Sequence, residues 1–381
     1  MADRWLGRWR AGGPPPQVLL LLAATETASV PGISAAGATP ESRRVTSAAD
    51  AELLVRGPRG LRPHALPPLP AGVSPALISH VVLEALALRP LVVDLGCALA
   101  PAIPHLRLPA PAGVGPARCL STGKAMSLAR VDALLEQGKR WGRGLANRAP
   151  HAPLLLAECV PGGTTTAQAV LCALGVEAQG LVSGSLRRPA HGLKGALVAQ
   201  GAQRAGLGLG GDGRNDPLAV AAALGDPMQP LAAALLLEAA LADVPVMLAG
   251  GSQMAAVLAL ALALASPRQR PQLMAATALA TTRWVAEEPS SDLVHLLHQL
   301  AQRWDVEPLA FASSLRFPPS CHPALADYEE GFVKEGVGAG GLAVLWEMGG
   351  RASEDLAITC SAACHQLIPA PPALSGQGLR S

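Results

Sequence analysis

Short, nearly uninterrupted apolar runs recur along the chain: Val18–Ala24, Leu91–Leu95, Leu154–Ala157, Gly180–Ser183 and Val244–Ala249. Each is bounded by Gly, Pro or polar residues, the pattern of strands covered on both faces in a parallel sheet. Between them lie stretches with helical patterning: Ala48–Arg56, Ser74–Ala87, Ser127–Ala146, Thr165–Leu174, Gly192–Gln203, Met228–Leu241 and Ser252–Ala265. This alternation predicts an α/β fold, a doubly wound, mostly parallel, Rossmann-like sheet with right-handed crossovers and a small helical lobe. Residues 1–15, ending in Gly-Gly-Pro-Pro-Pro, read as a disordered leader, 16–367 as one domain and 368–381 as a loose tail.

Two of the apolar runs need testing against a membrane. The chain is uncharged from Val244 to Ala265, long enough to span a bilayer. Pro245, Gly250, Gly251, Ser252 and Gln253 interrupt it, so it reads as a strand, a glycine turn and a buried helix. Val18–Ala24 follows Arg4, Arg8 and Arg10 like the core of a signal peptide. Thr25-Glu26-Thr27 stands where small cleavage-site residues belong, so the run reads as a buried first strand.

Composition narrows the function. A net charge of +2, with 15% charged and 3% aromatic residues, gives no basic stripe interleaved with aromatics and argues against nucleic acid. Seven scattered cysteines are no disulfide framework and fit a reducing, cytoplasmic setting. Cys360 and Cys364, followed by His365, have the spacing of one helical turn and no second metal half-site. His295 and His298 fit an amphipathic surface helix, and no metal or cofactor is expected. The Gly-rich piece 206–213 follows no clear strand, so it reads as a connector rather than a dinucleotide loop.

Two segments carry chemistry. From Leu154 an apolar strand ends at Glu158, turns through Gly162 and Gly163, and enters a helix at Thr164-Thr165-Thr166. In open α/β sheets ligands sit at the carboxyl ends of strands, and a glycine turn into a helix can cradle an anion. The same residues also suit an ordinary turn whose helix Thr164 caps. Cys159, beside Glu158, has no partner histidine that would make it a nucleophile. The second segment runs from Gly331 through Lys334-Glu335-Gly336 to Gly341. A carboxylate held among glycines could accept a proton, or Lys334 and Glu335 could be a solvated pair on a helix-ending turn. With only four lysines (124, 139, 194 and 334) among 30 basic residues, Lys194 and Lys334 draw notice.

Taken in order, the segments resemble the nicotinate-nucleotide–dimethylbenzimidazole phosphoribosyltransferases of cobamide assembly, especially a divergent branch. The likeness runs from about residue 18 to 347. It rests on Gly32-Ile33-Ser34, Val92-Val93-Asp94-Leu95-Gly96, Ala125-Met126-Ser127, Glu158 to Thr166, Asp216-Pro217-Leu218, and Glu335-Gly336-Val337-Gly338-Ala339. The resemblance implies that Glu335 is the general base and that Glu158 fixes acceptor or ribose. It puts the phosphate of nicotinate mononucleotide on Gly162, Gly163, Thr164 and Thr165 with Lys194 as an extra cation, and Ser34 and Glu26 at the base pocket. An aromatic nitrogen base would be the acceptor, in a homodimer. The chain departs from the family pattern where Glu26-Thr27 replaces Asp-His, where Gly163 replaces Asn, and at Val246 to Gln253. A non-catalytic nucleotide-binding protein on the same fold is the alternative.

Overall fold

In the computed structural model, which describes residues 2–10, 14–69, 71–150, 152–211 and 214–368, seven strands form one sheet. They are β1 (Gln17–Leu22), β2 (Pro90–Asp94), β3 (Leu106–Arg107), β4 (Leu154–Cys159), β5 (Val246–Ala249), β6 (Thr277–Thr281) and β7 (Leu309–Ala312). Every pairing is parallel, and the order is β3-β2-β1-β4-β5-β6-β7. The chain winds outward from β1 to one edge, returns to β4 beside β1, and winds to the other edge. The carboxyl ends of β1 and β4 therefore flank the switch point, where their following segments diverge and open a crevice.

Strand alternation divides the core in two. Leu19 and Leu21 of β1, with Leu154 and Leu156 of β4, pack under helices Leu128–Arg148, Gly163–Ala173, Met228–Leu241 and Ser252–Leu264. Val18, Leu20 and Leu22, with Leu155, Ala157 and Cys159, face helices Thr46–Arg56, Ala76–Ala85 and Ala339–Met348. Pro323–Glu329 and Ser353–Leu367 complete the helical group on that second face, and Cys360 and Cys364 point into its core. The uncharged stretch from Val244 resolves into β5, the Gly250–Gly251 turn and the buried helix Ser252–Leu264. Among the described residues no helix is long and apolar enough to cross a membrane.

Three expectations change. The disordered leader is instead a helix over Ala2–Arg10, because Trp5 and Trp9, one turn apart, make an apolar face. Trp5 is 1% exposed, donates to Ala276 O and lies 5.5 Å from the Phe311 ring on β7. Gly180–Ser183 is no strand but a turn and loop, with Ser183 N bonded to Ser252 Oγ. The sheet also contains β3, β6 and β7, which the apolar runs did not mark. The expected tail, apart from Ile368, lies outside the described residues, as does part of the 206–213 connector.

Candidate functional site

A cavity of about 780 Å³ opens at the carboxyl ends of the strands. Glu158 to Thr164 after β4, Gly251 to Gln253 after β5, Ser34 and Ala36 after β1, and Glu335 to Val337 all line it. The alternation of β4 sends Leu154, Leu156 and Glu158 to one face of the sheet and Cys159 to the other. Glu158 is thereby buried, 3% exposed, with Val160 N donating to its Oε2 at 3.1 Å. Burial, then repulsion from Glu335 and Asp226, pushes its carboxyl up to about 8. It holds its proton at neutral pH.

Glu335 sits in a different setting. Gly336 N (3.1 Å) and Gly340 N (3.0 Å) donate to Oε1, and Thr281 Oγ1 and Thr282 N (both 2.9 Å) donate to Oε2. Burial raises this carboxyl, while the four donors oppose the rise by stabilising the ionised form. Val337 N donates to Glu158 O at 2.8 Å, pinning this turn to the end of β4. The two buried carboxyls are near enough that the charge of Glu335 opposes ionisation of Glu158. Glu335 has four donors to its ionised form, whereas Glu158 is left to one backbone amide and Gln253.

Lys334 is neither solvated nor paired with Glu335. It is 1% exposed, and its Nζ reaches Glu288 Oε1 at 2.8 Å and Leu186 O at 2.7 Å. Ser183, Ser290 and Ser291 hydroxyls also donate to Glu288. Lys194 Nζ donates to Ser183 O at 2.6 Å, and burial pushes its ammonium down to about 7. Lys194 is a layer behind the cavity, not in its lining.

The glycine turn is built differently from the simplest anion cradle. Gly162, at φ +79°, caps the helix Gly163–Ala173, and Thr164 makes no capping bond. A Cβ on Gly162 would come within 2.9 Å of Ala28 N, so only glycine suits this close crossing. The amides of Gly163 and Thr165 are engaged within the turn, by Val160 O and Gly162 O. Thr165 is fully buried behind the wall, and Thr166 Oγ1 lies between Gly163 O (2.9 Å) and Asp226 Oδ2 (2.5 Å). What faces the cavity is Thr164, Ser252 and the amino ends of two helices, Gly163–Ala173 and Ser252–Leu264. Ser252 Oγ accepts from Ser183 N at 3.0 Å, leaving its own hydrogen for a ligand. Two converging helix amino ends favour an anion there.

Of the residues singled out in the sequence, Glu158, Glu335, Gly162, Gly163, Thr164 and Ser34 come together in one cavity. Ser34 Oγ lies 3.1 Å from Ser185 Oγ on its rim. Thr165 and Lys194 stand behind the wall, and Glu26 is exposed on a short 3-10 helix outside the lining. Sequence reasoning missed Gln253 and Asp50. A Cβ at position 163 would meet Gln253 Oε1 at 1.9 Å, so the glutamine fills the space beside the glycine and helps hold Glu158. Among the described residues no group of three or more His, Cys, Asp or Glu could hold a metal ion.

A family model described as phosphoribosyltransferase matches residues 79–280, which include β4, Glu158 and the glycine turn. The chain belongs to this phosphoribosyltransferase family. It is accordingly an enzyme of the pentosyltransferase class. A UPF0284 protein of Prochlorococcus marinus (strain MIT 9313) is 52% identical over 96% of this chain and 90% of that protein. A UPF0284 protein of Gloeobacter violaceus is 47% identical over 92% and 88%. The fold is similar to that of CobT from Thermus thermophilus, at a TM-score of 0.55 and 19% identity over 96% of this chain and 89% of that one. It is also similar to the nicotinate-nucleotide-dimethylbenzimidazole phosphoribosyltransferase of the same organism, at a TM-score of 0.52 and 20% identity over 93% and 83%.

Proposed function

We propose that this phosphoribosyltransferase moves the phosphoribosyl group of nicotinate mononucleotide onto a ring nitrogen of a benzimidazole-type base, in the lower-ligand assembly of a cobamide. One observation carries the reading: a protonated Glu158 and a four-times hydrogen-bonded Glu335 face one cavity that two helix amino ends border. The ring nitrogen attacks the anomeric carbon and the nicotinate C–N bond breaks, its electron pair returning to the pyridine nitrogen. The acceptor's N–H proton passes to Glu335, and the anomeric centre inverts. Thr164, Ser252 and the helix amino ends take the phosphate, Lys194 adds positive charge from behind, and Glu158 orients ribose or acceptor. Holding the two reactants together supplies much of the rate, and the base adds roughly 100- to 10,000-fold.

The reading includes a homodimer in the cytoplasm. Leu106, exposed on the edge strand β3, is a side chain such a partner would cover. The decisive experiment incubates the purified chain with nicotinate mononucleotide and benzimidazole and follows free nicotinate and the new N-glycoside. Equal amounts of both should form; a nucleotide that binds without release of nicotinate removes the reading.

A further inference from the structure

A third buried carboxyl borders the same cavity, and the proposed transfer leaves it unused. Asp50, on the helix Thr46–Arg56, is 6% exposed and contributes to the cavity lining. Ser74 Oγ donates to its Oδ1 at 2.6 Å, and Cys159 Sγ to its Oδ2 at 3.6 Å. Both donors are neutral and one is a weak thiol. Among the described residues no Lys, Arg or His comes within ion-pair distance of Asp50. A carboxyl removed from water normally finds a cation or several strong donors. Here one oxygen has only the thiol of Cys159 as partner, and the residue borders the cavity.

Its position says what it would meet. Cys159 and Glu158 are neighbours on β4, so their side chains leave opposite faces of the strand. Glu158, and Thr281 whose hydroxyl donates to Glu335, point toward one face, and Asp50, bonded to Cys159, lies toward the other. Ser74, which holds Asp50, belongs to the segment that packs on the Glu335 turn, where a Cβ on Gly336 would come within 3.3 Å of Pro75. Leu66, Leu69, Val73 and Val333 add apolar lining on this side. A flat heteroaromatic ring placed with its reacting nitrogen toward the Glu158–Glu335 pair would lie among these residues and turn its far edge to Asp50.

We infer that Asp50 reads the far edge of the acceptor and selects a heteroaromatic base carrying a hydrogen-bond donor there, an amino or hydroxyl group, over one carrying only methyl groups. This rests on the transfer reaction proposed above. A methyl edge would leave a buried carboxyl facing hydrocarbon, whereas an amino edge completes its hydrogen bonds. Sites built to bond a polar substituent reject analogues that lack it far better than apolar pockets reject an extra methyl.

The test compares two acceptors with the same reacting nitrogens, 5-aminobenzimidazole and 5,6-dimethylbenzimidazole, with nicotinate mononucleotide as donor. In the unaltered protein kcat/KM should favour the amino compound by about tenfold or more. In Asp50→Ala the ratio should collapse towards one, and Asp50→Asn, which keeps one acceptor oxygen, should fall between. Each ratio is taken on a single preparation, so a partly unfolded variant lowers both rates and leaves the ratio readable. Equal use of the two acceptors by the unaltered protein, or a preference that survives Asp50→Ala, overturns the assignment of Asp50 while the transfer reaction stands. Release of nicotinate with neither acceptor overturns the transfer reaction, and this inference with it.

Discussion

At the end of β4 the chain turns with a single residue, Gly162, in the left-handed region, whereas the turn around Glu335 holds Val333, Lys334 and Val337 there (φ +62°, +31° and +54°). Such a conformation costs a residue with a side chain roughly 1–2 kcal/mol. The relaxed turn delivers a carboxyl, Glu158, with a raised pKa. The strained turn delivers Glu335 into four donors. Strain at Glu335 is offset by anchors: Lys334 on Glu288 and Leu186 O, and Thr282 Oγ1 on Lys334 O at 2.6 Å. Equal chemical groups thus acquire different surroundings, because glycine makes one turn without strain and side-chain anchors hold the other in a strained one. Burial raises both carboxyls, but only at Glu335 do four donors oppose the rise.

The contrast breaks most visibly at the clamp. Lys334→Met removes the cation of a fully buried pair and leaves Glu288 uncompensated, so the fold should lose about 3–5 kcal/mol in denaturant unfolding. A loss below about 1 kcal/mol would show that the turn keeps its shape without the anchor.

Next in size is Glu335→Gln. The amide keeps its size but cannot accept the proton, so turnover should drop by about 100-fold or more while calorimetry shows nicotinate mononucleotide still binding. Near-normal turnover would move the base to Glu158 and erase the division of roles.

Glu158→Gln should do less at pH 7, about tenfold or under, because an amide resembles the protonated acid already present there. Its signature is in pH. Above about 8 Glu158 itself ionises and adds a negative charge beside the cavity, so KM for the anionic nucleotide should climb. The variant should show no such rise. Stability follows from the same shift. A carboxyl raised from 4.5 to about 8 is protonated in both states at low pH, so its contribution is intact below 4.5. It is lost as pH rises through 8, since the unfolded chain ionises first. Thermal midpoints of the protein and Glu158→Gln should therefore diverge in favour of the variant between those limits.

How far the sequence could be read follows the same physics. β1, β2, β4 and β5 were legible because a strand covered on both faces must be continuously apolar. Thr277-Ala-Leu-Ala-Thr281 and Leu309-Ala-Phe-Ala312 were not, since small residues in an alanine-rich chain carry no strand signature. The leader hid its helix because Trp5 gains its burial from residues far along the chain, Ala276 and Phe311 of β7. Glu158 and Glu335 were visible as charges placed among glycines at strand and turn ends. Asp50, Gln253 and Glu288 sit in ordinary local sequence, and only the tertiary fold brings Asp50 and Gln253 to the cavity and Glu288 to Lys334 behind it. Buried Lys334 likewise read as half of a solvated pair, because its partner Glu288 lies 46 residues away.

The smallest expected effect tests whether every bond on the strained segment matters. Arg187 Nη2 lies 2.9 Å from Glu330 Oε2, a pair reaching the same segment from outside, with side chains 61% and 59% exposed. Water already solvates both charges, and ordering two long side chains consumes much of the attraction. Arg187→Ala should therefore change unfolding free energy by about 0–1 kcal/mol, and less at high salt, where screening weakens what remains. Lys334 makes a bond of similar length, 2.8 Å, yet should matter several times more, because burial leaves its partner no alternative solvent. Comparable losses for the two variants would mean that Glu288 is hydrated in solution. Lys334 would then cease to be the clamp, and the strain at Val333 and Val337 would need another source of support.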